Sequence, residues 1–379
     1  MLKYLLMSNL PPNDLPPNDV NNNVNKNKNK NSINNTILLD TELDDELFLK
    51  YYFQENPNSN LNLNLNPNPN KRIKIESPQE IIKIDKEINN LSDLIELGKS
   101  YQIGKKYNID LQLLNKMIPS LEELNNMIGM KRVKYDIVDH IIFYLQKLDN
   151  KNKDMLHTVI EGPPGVGKTE LGKILGKIYL QMGILKNNIF KKVSRPDLVA
   201  KYLGQTAIKT EELIDSCAGG VMFIDEIYSL GNNEQKDSFS KEAIDTINLK
   251  LTEMKNNFVC IVAGYPREID ECFFSYNPGL NSRFPIRFSI DPYTPKELLL
   301  IFKKIVKDNE WEVVENIKLD FFKKNYKEFK NYGRDMETLF SKCKRAHSRR
   351  IFTENNPNRK LITNDDLTEA FKIFQLNSA

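Results

Sequence analysis

The sequence has few of the residues that build metal centres and disulfide frameworks. Its 379 residues include four cysteines, three histidines and one tryptophan, and no two cysteines form a C-x-x-C pair. Cys343 and His347 could share a helix face, but two ligands are too few for a zinc site. We therefore expect no bound zinc, and we expect the thiols to be buried and reduced, as in an intracellular protein.

Long apolar runs and an excess of one charge are also missing. No stretch approaches the roughly 18 apolar residues of a membrane span, and the apolar residues among positions 1–7 are too few for a signal peptide. The net charge is only +3, with 28% charged residues, so no overall field favours nucleic acid or a membrane surface. We expect a soluble intracellular protein without a membrane partner.

The first 89 residues contain little material for a core. Residues 8–36 are mainly Asn, Pro and Lys, and residues 58–70 repeat Asn-Leu and Asn-Pro. Such segments cannot bury enough apolar surface to offset the entropy of ordering. We predict a disordered, low-complexity, Asn-rich tail over residues 1–89, in which Asp40–Phe53 could form a docking helix or, more simply, a transient one.

A glycine-rich loop of the form G-x-x-x-x-G-K-T is the clearest motif. It follows a β-branched segment typical of a strand and precedes apolar residues at helical spacing, which is the context this motif requires. Its N–H groups would face the phosphates of a nucleoside triphosphate. Its lysine would reach the β- and γ-phosphates, and its threonine hydroxyl would ligate Mg²⁺. The candidate phosphate-binding residues are Gly162, Pro163, Pro164, Gly165, Val166, Gly167, Lys168, Thr169 and Glu170.

A second motif joins four apolar residues to two acids over Val221–Glu226. This is the form of a strand buried on both faces of a parallel sheet. A carboxylate at the carboxyl end of such a strand lies beside the phosphate crevice. With the phosphate loop upstream, we expect Asp225 to hold Mg²⁺ through the metal's water ligands and Glu226 to orient and polarise the attacking water.

The order of the remaining segments predicts the fold class. Apolar strands alternate with amphipathic helices up to residue 290, which is typical of an α/β three-layer sandwich with a mainly parallel sheet. We assign residues 90–290 to a nucleotide-binding domain with N-terminal helices, and residues 291–379 to a small all-helical lid domain. Ser120–Glu123 has the form of a capping box and predicts a helix that begins there.

These motifs together resemble the AAA+ ATPases, and within them the branch of red-type rubisco activase and stage V sporulation protein K. The resembling segments are the phosphate loop (Walker A), Asp197–Ala207, Gly219–Leu230 (Walker B), Ala263–Tyr265, Asn277–Phe284 and Gly333-Arg334. The sequences of Asp154–Gly176 and Arg334–Arg350 are also similar to those of AAA+ proteins encoded by large DNA viruses of eukaryotes. The resemblance implies hydrolysis of ATP to ADP and phosphate, with ATP and Mg²⁺ as cofactors, by a homo-oligomer that we expect to be a hexamer in the cytoplasm, a nucleus or a viral compartment.

The resemblance also implies roles for two arginines and one tyrosine. Arg283 lies where the family carries an arginine finger for the γ-phosphate of a neighbouring subunit. Arg334 lies where the lid carries its sensor 2 arginine, which contacts phosphate. Most members have a polar sensor, commonly Asn, where Tyr265 stands here, but the named branch shares this Gly-Tyr and the Tyr265 hydroxyl is a candidate replacement.

Two further sites are implied by the family alone. Tyr202 and Leu203 fall in its pore loop, whose aromatic residue grips a threaded polypeptide. Ile128 and Gly129 fall where the family packs its backbone against adenine. Without the resemblance, Tyr202 would be interpreted as an ordinary half-buried aromatic residue.

Two functions are compatible with these residues. The first is a chaperone-like ATPase ring that remodels or threads a protein substrate. The second is a nucleic-acid motor or clamp-loader relative, because Ser282-Arg283 is similar to a Ser-Arg finger and the segment Lys342–Arg350 is basic. That segment is more simply the polar face of a lid helix with cations toward its C-terminus, so we prefer the first and do not expect nucleic acid as a partner. A small-molecule kinase is disfavoured because nothing after the acidic pair offers an acceptor site.

Overall fold

The computed structural model describes residues 81–150, 154–202, 204–231, 237–314, 317–352 and 358–376. Most of the predicted tail, including Asp40–Phe53, therefore lies outside the described residues. The described part begins with the two-residue strand β1 (Ile81–Ile82), which pairs in parallel with β2 (Lys106–Tyr107). Within the described ranges, no helix is both long and apolar enough to cross a membrane.

Three helices precede the central sheet, namely α1 (Leu91–Lys99), α2 (Leu111–Asn125) and α3 (Lys131–Leu145). The prediction that a helix begins at Ser120 is wrong, because α2 runs through Pro119 and Ser120 is buried within it. Asp110 caps α2 instead, accepting a hydrogen bond from the Leu113 N–H at 2.9 Å. A proline inside a helix is unfavourable, but a continuous buried face of leucines and Met117 favours one long helix over two short ones.

The central sheet has five parallel strands in the spatial order β4-β5-β6-β3-β7. They are β3 (Thr158–Glu161), β4 (Phe190–Val193), β5 (Val221–Ile224), β6 (Val259–Gly264) and β7 (Ile286–Ser289). Strand β7 was not among the predicted strands. Because β3 lies between β6 and β7, the phosphate loop leaves the sheet from an interior strand.

Helices cover both faces of this sheet. They are α4 (Lys168–Gln181), α5 (Arg195–Leu198), α6 (Thr206–Asp215), α7 (Ser238–Glu253), α8 (Pro266–Cys272) and α9 (Pro278–Arg283). Alternate residues of β5 belong to separate cores, since Val221 and Phe223 pack in one cluster while Met222 and Ile224 pack in the other. The predicted α/β three-layer sandwich with a parallel sheet is thus confirmed.

The C-terminal part is helical, as predicted. Its helices are α10 (Pro295–Asp308), α11 (Leu319–Lys324), α12 (Tyr332–Ile351) and α13 (Asn364–Leu376). It also contains a two-residue parallel pair, β8 (Glu312–Val313) with β9 (Leu361–Ile362), so it is not helical throughout.

A buried carboxylate ties α12 to the start of α13. Asp366 accepts hydrogen bonds from Arg350 Nε at 2.9 Å and from the Thr363 N–H at 2.9 Å. Burial on its own would raise the pKa of Asp366, but these hydrogen bonds hold it below its usual range. Helices α12 and α13 of the lid are therefore held together by a hydrogen-bonded buried carboxylate as well as by apolar packing.

Candidate active site

A cleft of about 750 Å³ lies at the carboxyl end of β3, between the phosphate loop and the lid. Parallel strands direct their carboxyl ends to the same edge, so loops far apart in the chain meet there. The residues predicted from the sequence that line the cleft are Ile128, Pro164, Gly165, Val166, Gly167, Lys168, Thr169, Glu170, Asp225, Glu226, Tyr265 and Arg334.

Lys168, the first residue of α4, holds the beginning of its own loop. Its Nζ donates to the carbonyls of Gly162 and Pro163, each at 2.8 Å. The same atom lies 5.1 Å from the centre of the Tyr265 ring, within cation–π range. Burial lowers the pKa of Lys168, and the carboxylate of Asp225 opposes that shift. A phosphate in the cleft would offer this ammonium group new acceptors.

Two carbonyls in the turn of the phosphate loop accept hydrogen bonds from residues of the C-terminal part. The Gly333 N–H donates to the Gly165 carbonyl at 3.0 Å, and the Tyr293 hydroxyl donates to the Val166 carbonyl at 2.7 Å. With these carbonyls engaged, the N–H groups of the turn and of the first turn of α4, which lack intrahelical acceptors, are available to an anion. This donor set fits the phosphates of a nucleotide.

Gly165 allows the loop and the lid to approach this closely. Its φ of +70° lies in the left-handed region, and a Cβ at this position would overlap the Asn331 carbonyl oxygen. Only glycine satisfies both conditions without moving the lid.

The two acids after β5 lie opposite the loop. The Thr169 hydroxyl donates to Asp225 Oδ2 at 3.3 Å, so the hydroxyl and the carboxylate that the sequence paired around Mg²⁺ are neighbours. Both are hard oxygen ligands of the kind that Mg²⁺ prefers. Glu226 has φ +51° and ψ +47°, a left-handed conformation that is costly for a residue with a side chain and that clusters at functional sites.

A lysine of β4 also reaches this corner and was missed in the sequence. Lys192 Nζ lies 2.7 Å from Asp225 Oδ2. Its neighbour Lys191 has the opposite orientation and donates to Ser216 Oγ at 2.6 Å. Strand alternation, combined with the adjacency of β4 and β5, is the signal that could have found Lys192.

Two tyrosines form the remaining wall beside Glu226. The rings of Tyr228 and Tyr265 are stacked, with centroids 5.3 Å apart and planes 17° from parallel. Burial and then the charge of Glu226 raise the pKa of Tyr228, so its hydroxyl keeps its proton. Tyr228 was not predicted, although it follows the acidic pair by only two residues.

The two candidate arginines lie in different places. Arg334, in the first turn of α12, lines the cleft. Arg283, at the end of α9, is outside the set of described residues that line it; its Nε donates to Thr252 Oγ1 at 2.8 Å and its Nη1 to the Gly279 carbonyl at 2.6 Å. The structure therefore brings Arg334 to the phosphate loop of its own chain and does not bring Arg283 there.

The structure also describes three of the four residues that the resemblance implies for the pore loop and the adenine site. Tyr202 is 68% exposed, whereas Leu203 lies outside the described residues. Ile128 lines the cleft, while Gly129 packs against the ring of Tyr293.

Comparison with known proteins identifies the family. Residues 158–291 match the family described as ATPase family associated with various cellular activities (AAA). A cfxQ-like protein of Acanthamoeba polyphaga mimivirus is 47% identical over 296 residues, which cover 76% of this chain and 73% of that protein. The chain belongs to the AAA ATPases. It is therefore a nucleotide-binding enzyme that hydrolyses ATP, and the similarity to a viral member and to the sporulation branch is confirmed.

Other relatives of this AAA ATPase are matched over part of their length. Stage V sporulation protein K of Bacillus subtilis is 38% identical over 198 residues, covering 51% of this chain and 61% of that protein. The ESX-1 secretion system protein EccA1 of Mycolicibacterium smegmatis is 35% identical over 202 residues, covering 51% of this chain and 35% of that protein.

Solved structures are similar in fold alone. The AAA domain of FIGL-1 has 18% identity and a TM-score of 0.45, covering 67% of this chain and 80% of that chain. The Thermotoga maritima RuvB Holliday junction branch migration motor has 20% identity and a TM-score of 0.46, covering 66% and 71%.

We expect Gly165→Ala to weaken nucleotide binding at least tenfold, because the new Cβ would force the Asn331 backbone away from the loop. Binding of a fluorescent ATP analogue measures this loss. Gly104→Ala is the matched control, since Gly104 also has a positive φ, +84°, but nothing lies within 4 Å of a Cβ there. Unchanged affinity in Gly165→Ala would show that the loop tolerates a displaced lid.

Proposed function

We propose that this AAA ATPase is a ring-forming motor, expected to be hexameric, that uses ATP and Mg²⁺ to remodel or thread a protein substrate in a chaperone-like manner. One observation carries the proposal: Arg283, the candidate finger, is bonded outside the cleft of its own chain. In that position the guanidinium does not line the cleft of its own chain, as expected of an arginine finger that acts on a neighbouring subunit. The similarity to stage V sporulation protein K and to EccA1 supports the same class.

The domain division belongs to the proposal as well. It comprises a tail over residues 1–89, a nucleotide-binding domain over 90–290 and a lid over 291–379, with the hinge at Asp291–Pro295. The last tail residues, 81–89, are described by the structure and include β1, which pairs with β2, so the expectation of disorder does not apply to them. Support comes from the hinge itself, where Thr294 caps α10 through a capping box with Glu297. That cap fixes the direction in which the lid leaves the sheet.

In the proposed hydrolysis, the residues of the cleft divide the work. Thr169 and Asp225 would hold Mg²⁺, which supplies positive charge against the phosphates when bound. Glu226 would orient the attacking water and accept its proton, since it stands free of the sheet at the end of β5. Arg334 would contact phosphate from the lid, and the Tyr265 hydroxyl would take the place of the usual polar sensor.

If Glu226 acts as this base, Glu226→Gln should retain nucleotide binding and slow hydrolysis by about 10²–10⁴-fold. The side chain keeps its size but loses its negative charge and, with it, the ability to accept a proton. Binding of a fluorescent ATP analogue and release of phosphate measure the two effects. Lys168→Ala is the contrasting variant, because it should weaken binding itself. Wild-type turnover in Glu226→Gln would remove Glu226 from the mechanism.

The action of Arg283 across subunits is tested by mixing two variants that are each inactive. Arg283→Ala should bind ATP yet hydrolyse it about 10³–10⁵-fold more slowly, and Lys168→Ala should fail to bind. In mixed rings, an intact phosphate loop can face an intact finger of the next subunit, so hydrolysis should partly return.

Assembly must be checked in the same samples by size-exclusion chromatography with light scattering. If mixed rings assemble and hydrolysis returns at no ratio, the assignment of Arg283 across the interface is wrong.

Tyr202 tests the choice between the two substrate classes. We expect an unfolded protein such as casein to stimulate hydrolysis, and Tyr202→Ala to lose that stimulation while keeping the basal rate, because the residue is exposed and outside the cleft. Tyr135→Ala is the control, since Tyr135 is another exposed tyrosine, in α3. Stimulation by duplex DNA and not by casein would favour the nucleic-acid motor instead.

A further inference from the structure

Tyr293 lies in the hinge and is bonded to both domains. The residue is only 6% exposed. The hydroxyl donates to the carbonyl of Val166 in the phosphate loop at 2.7 Å, and the Tyr293 backbone carbonyl accepts a hydrogen bond from the Tyr326 hydroxyl of the lid at 2.9 Å. A single residue therefore connects the loop, through its side chain, to the lid, through its backbone.

The Tyr293 ring is also held in place by its neighbours. A Cβ at Gly129 would lie 2.9 Å from this ring, so the backbone after α2 is packed directly against it. On the lid side, Tyr332 meets it edge to face, with centroids 6.2 Å apart. Close packing of this kind gives the ring little room to turn, and the hydroxyl is fixed over the Val166 carbonyl.

The carbonyl of the preceding loop residue, Gly165, is held in a similar way. The Gly333 N–H, in the first turn of α12, donates to Gly165 at 3.0 Å. A Cβ at Gly333 would lie 2.6 Å from that carbonyl oxygen. Two consecutive carbonyls of the phosphate loop thus accept hydrogen bonds from the hinge and the lid.

We propose that Tyr293 is a positioning residue for the phosphate loop: its hydroxyl holds the Val166 carbonyl out of the cleft, so that the adjacent N–H groups are oriented toward phosphate and the loop geometry follows the lid. The inference rests on the proposed phosphate-binding role of the loop. Burial raises the pKa of Tyr293 to about 12, so the hydroxyl keeps the proton that it donates.

Tyr293→Phe tests this, because it removes one oxygen and keeps the ring. We expect the dissociation constants of ATP and ADP to rise between about twofold and tenfold, the range for loss of one net hydrogen bond. In nucleotide-free protein, amide hydrogen exchange of residues 161–170 should accelerate while that of α12 stays as in the wild type. A general loss of stability would accelerate exchange in both segments and would overturn the proposal.

Tyr326→Phe is the matched control. It also removes one hydroxyl hydrogen bond in the hinge. The Tyr326 hydroxyl, however, donates to the Tyr293 backbone carbonyl and not to the phosphate loop. We expect near wild-type affinity for ATP and ADP. Equal losses in Tyr293→Phe and Tyr326→Phe would show that any loosening of the hinge suffices, and the specific role of Tyr293 would be wrong.

Gly333→Ala provides a second variant that does not depend on Tyr293. Its methyl group would press on the Gly165 carbonyl and should weaken ATP and ADP binding in the same direction. If wild-type protein binds ATP and the Tyr293→Phe and Gly333→Ala variants bind it with wild-type affinity, this inference fails while the nucleotide site stands. If wild-type protein binds no ATP, the proposed phosphate site itself fails.

Discussion

The site depends on a simple constraint: a loop that binds phosphate through N–H groups must give its carbonyls other donors. Here Lys168 Nζ donates to the carbonyls of Gly162 and Pro163. The Gly333 N–H donates to the Gly165 carbonyl and the Tyr293 hydroxyl to the Val166 carbonyl. The Leu171 N–H donates to the Gly167 carbonyl. Three sources are therefore needed, namely the loop's own lysine, the first turn of α4 and the lid. A buried carbonyl without a donor would be costly, so the hydrogen bonds from the lid stabilise this shape of the loop.

The parallel sheet supplies the rest of the site through its strand ends. The phosphate loop follows β3, the acidic pair follows β5, Tyr265 follows β6, and Lys192 projects from β4 next to the acids. Because neighbouring strands run in the same direction, all four features lie at one edge. The ion pair between Lys192 and Asp225 places an ammonium group beside the carboxylate that we propose as a Mg²⁺ ligand.

Local signals explain what the sequence could predict. The phosphate loop, the acidic pair and the helix after Gly129 each have their whole pattern within some fifteen residues, and the structure has a loop, a strand end and a helix at those places. Strand β7 was missed because Ile286–Ser289 belongs to the sheet through its pairing with β3, which lies far earlier in the chain. The break at Ser120 was wrong because burial of the α2 face outweighed Pro119. Lys192 and Tyr228 were missed although strand alternation and proximity to the acidic pair pointed to them. Tyr293 could not be found, because its role depends on a contact with Val166, 127 residues away in the chain.

The contact between α12 and the loop also limits how the lid can move. Gly333 and Arg334 are consecutive, so a shift of the α12 backbone that carries Arg334 farther into the cleft moves the Gly333 N–H as well. That N–H lies 3.0 Å from the Gly165 oxygen, and a displacement of about 1 Å would exceed hydrogen-bond distance. Translation of the lid would therefore break the bond that shapes the loop, whereas rotation about the Gly165 contact would keep it. The backbone position of Arg334 and the geometry of the phosphate loop are thus coupled through the contact between Gly333 and Gly165.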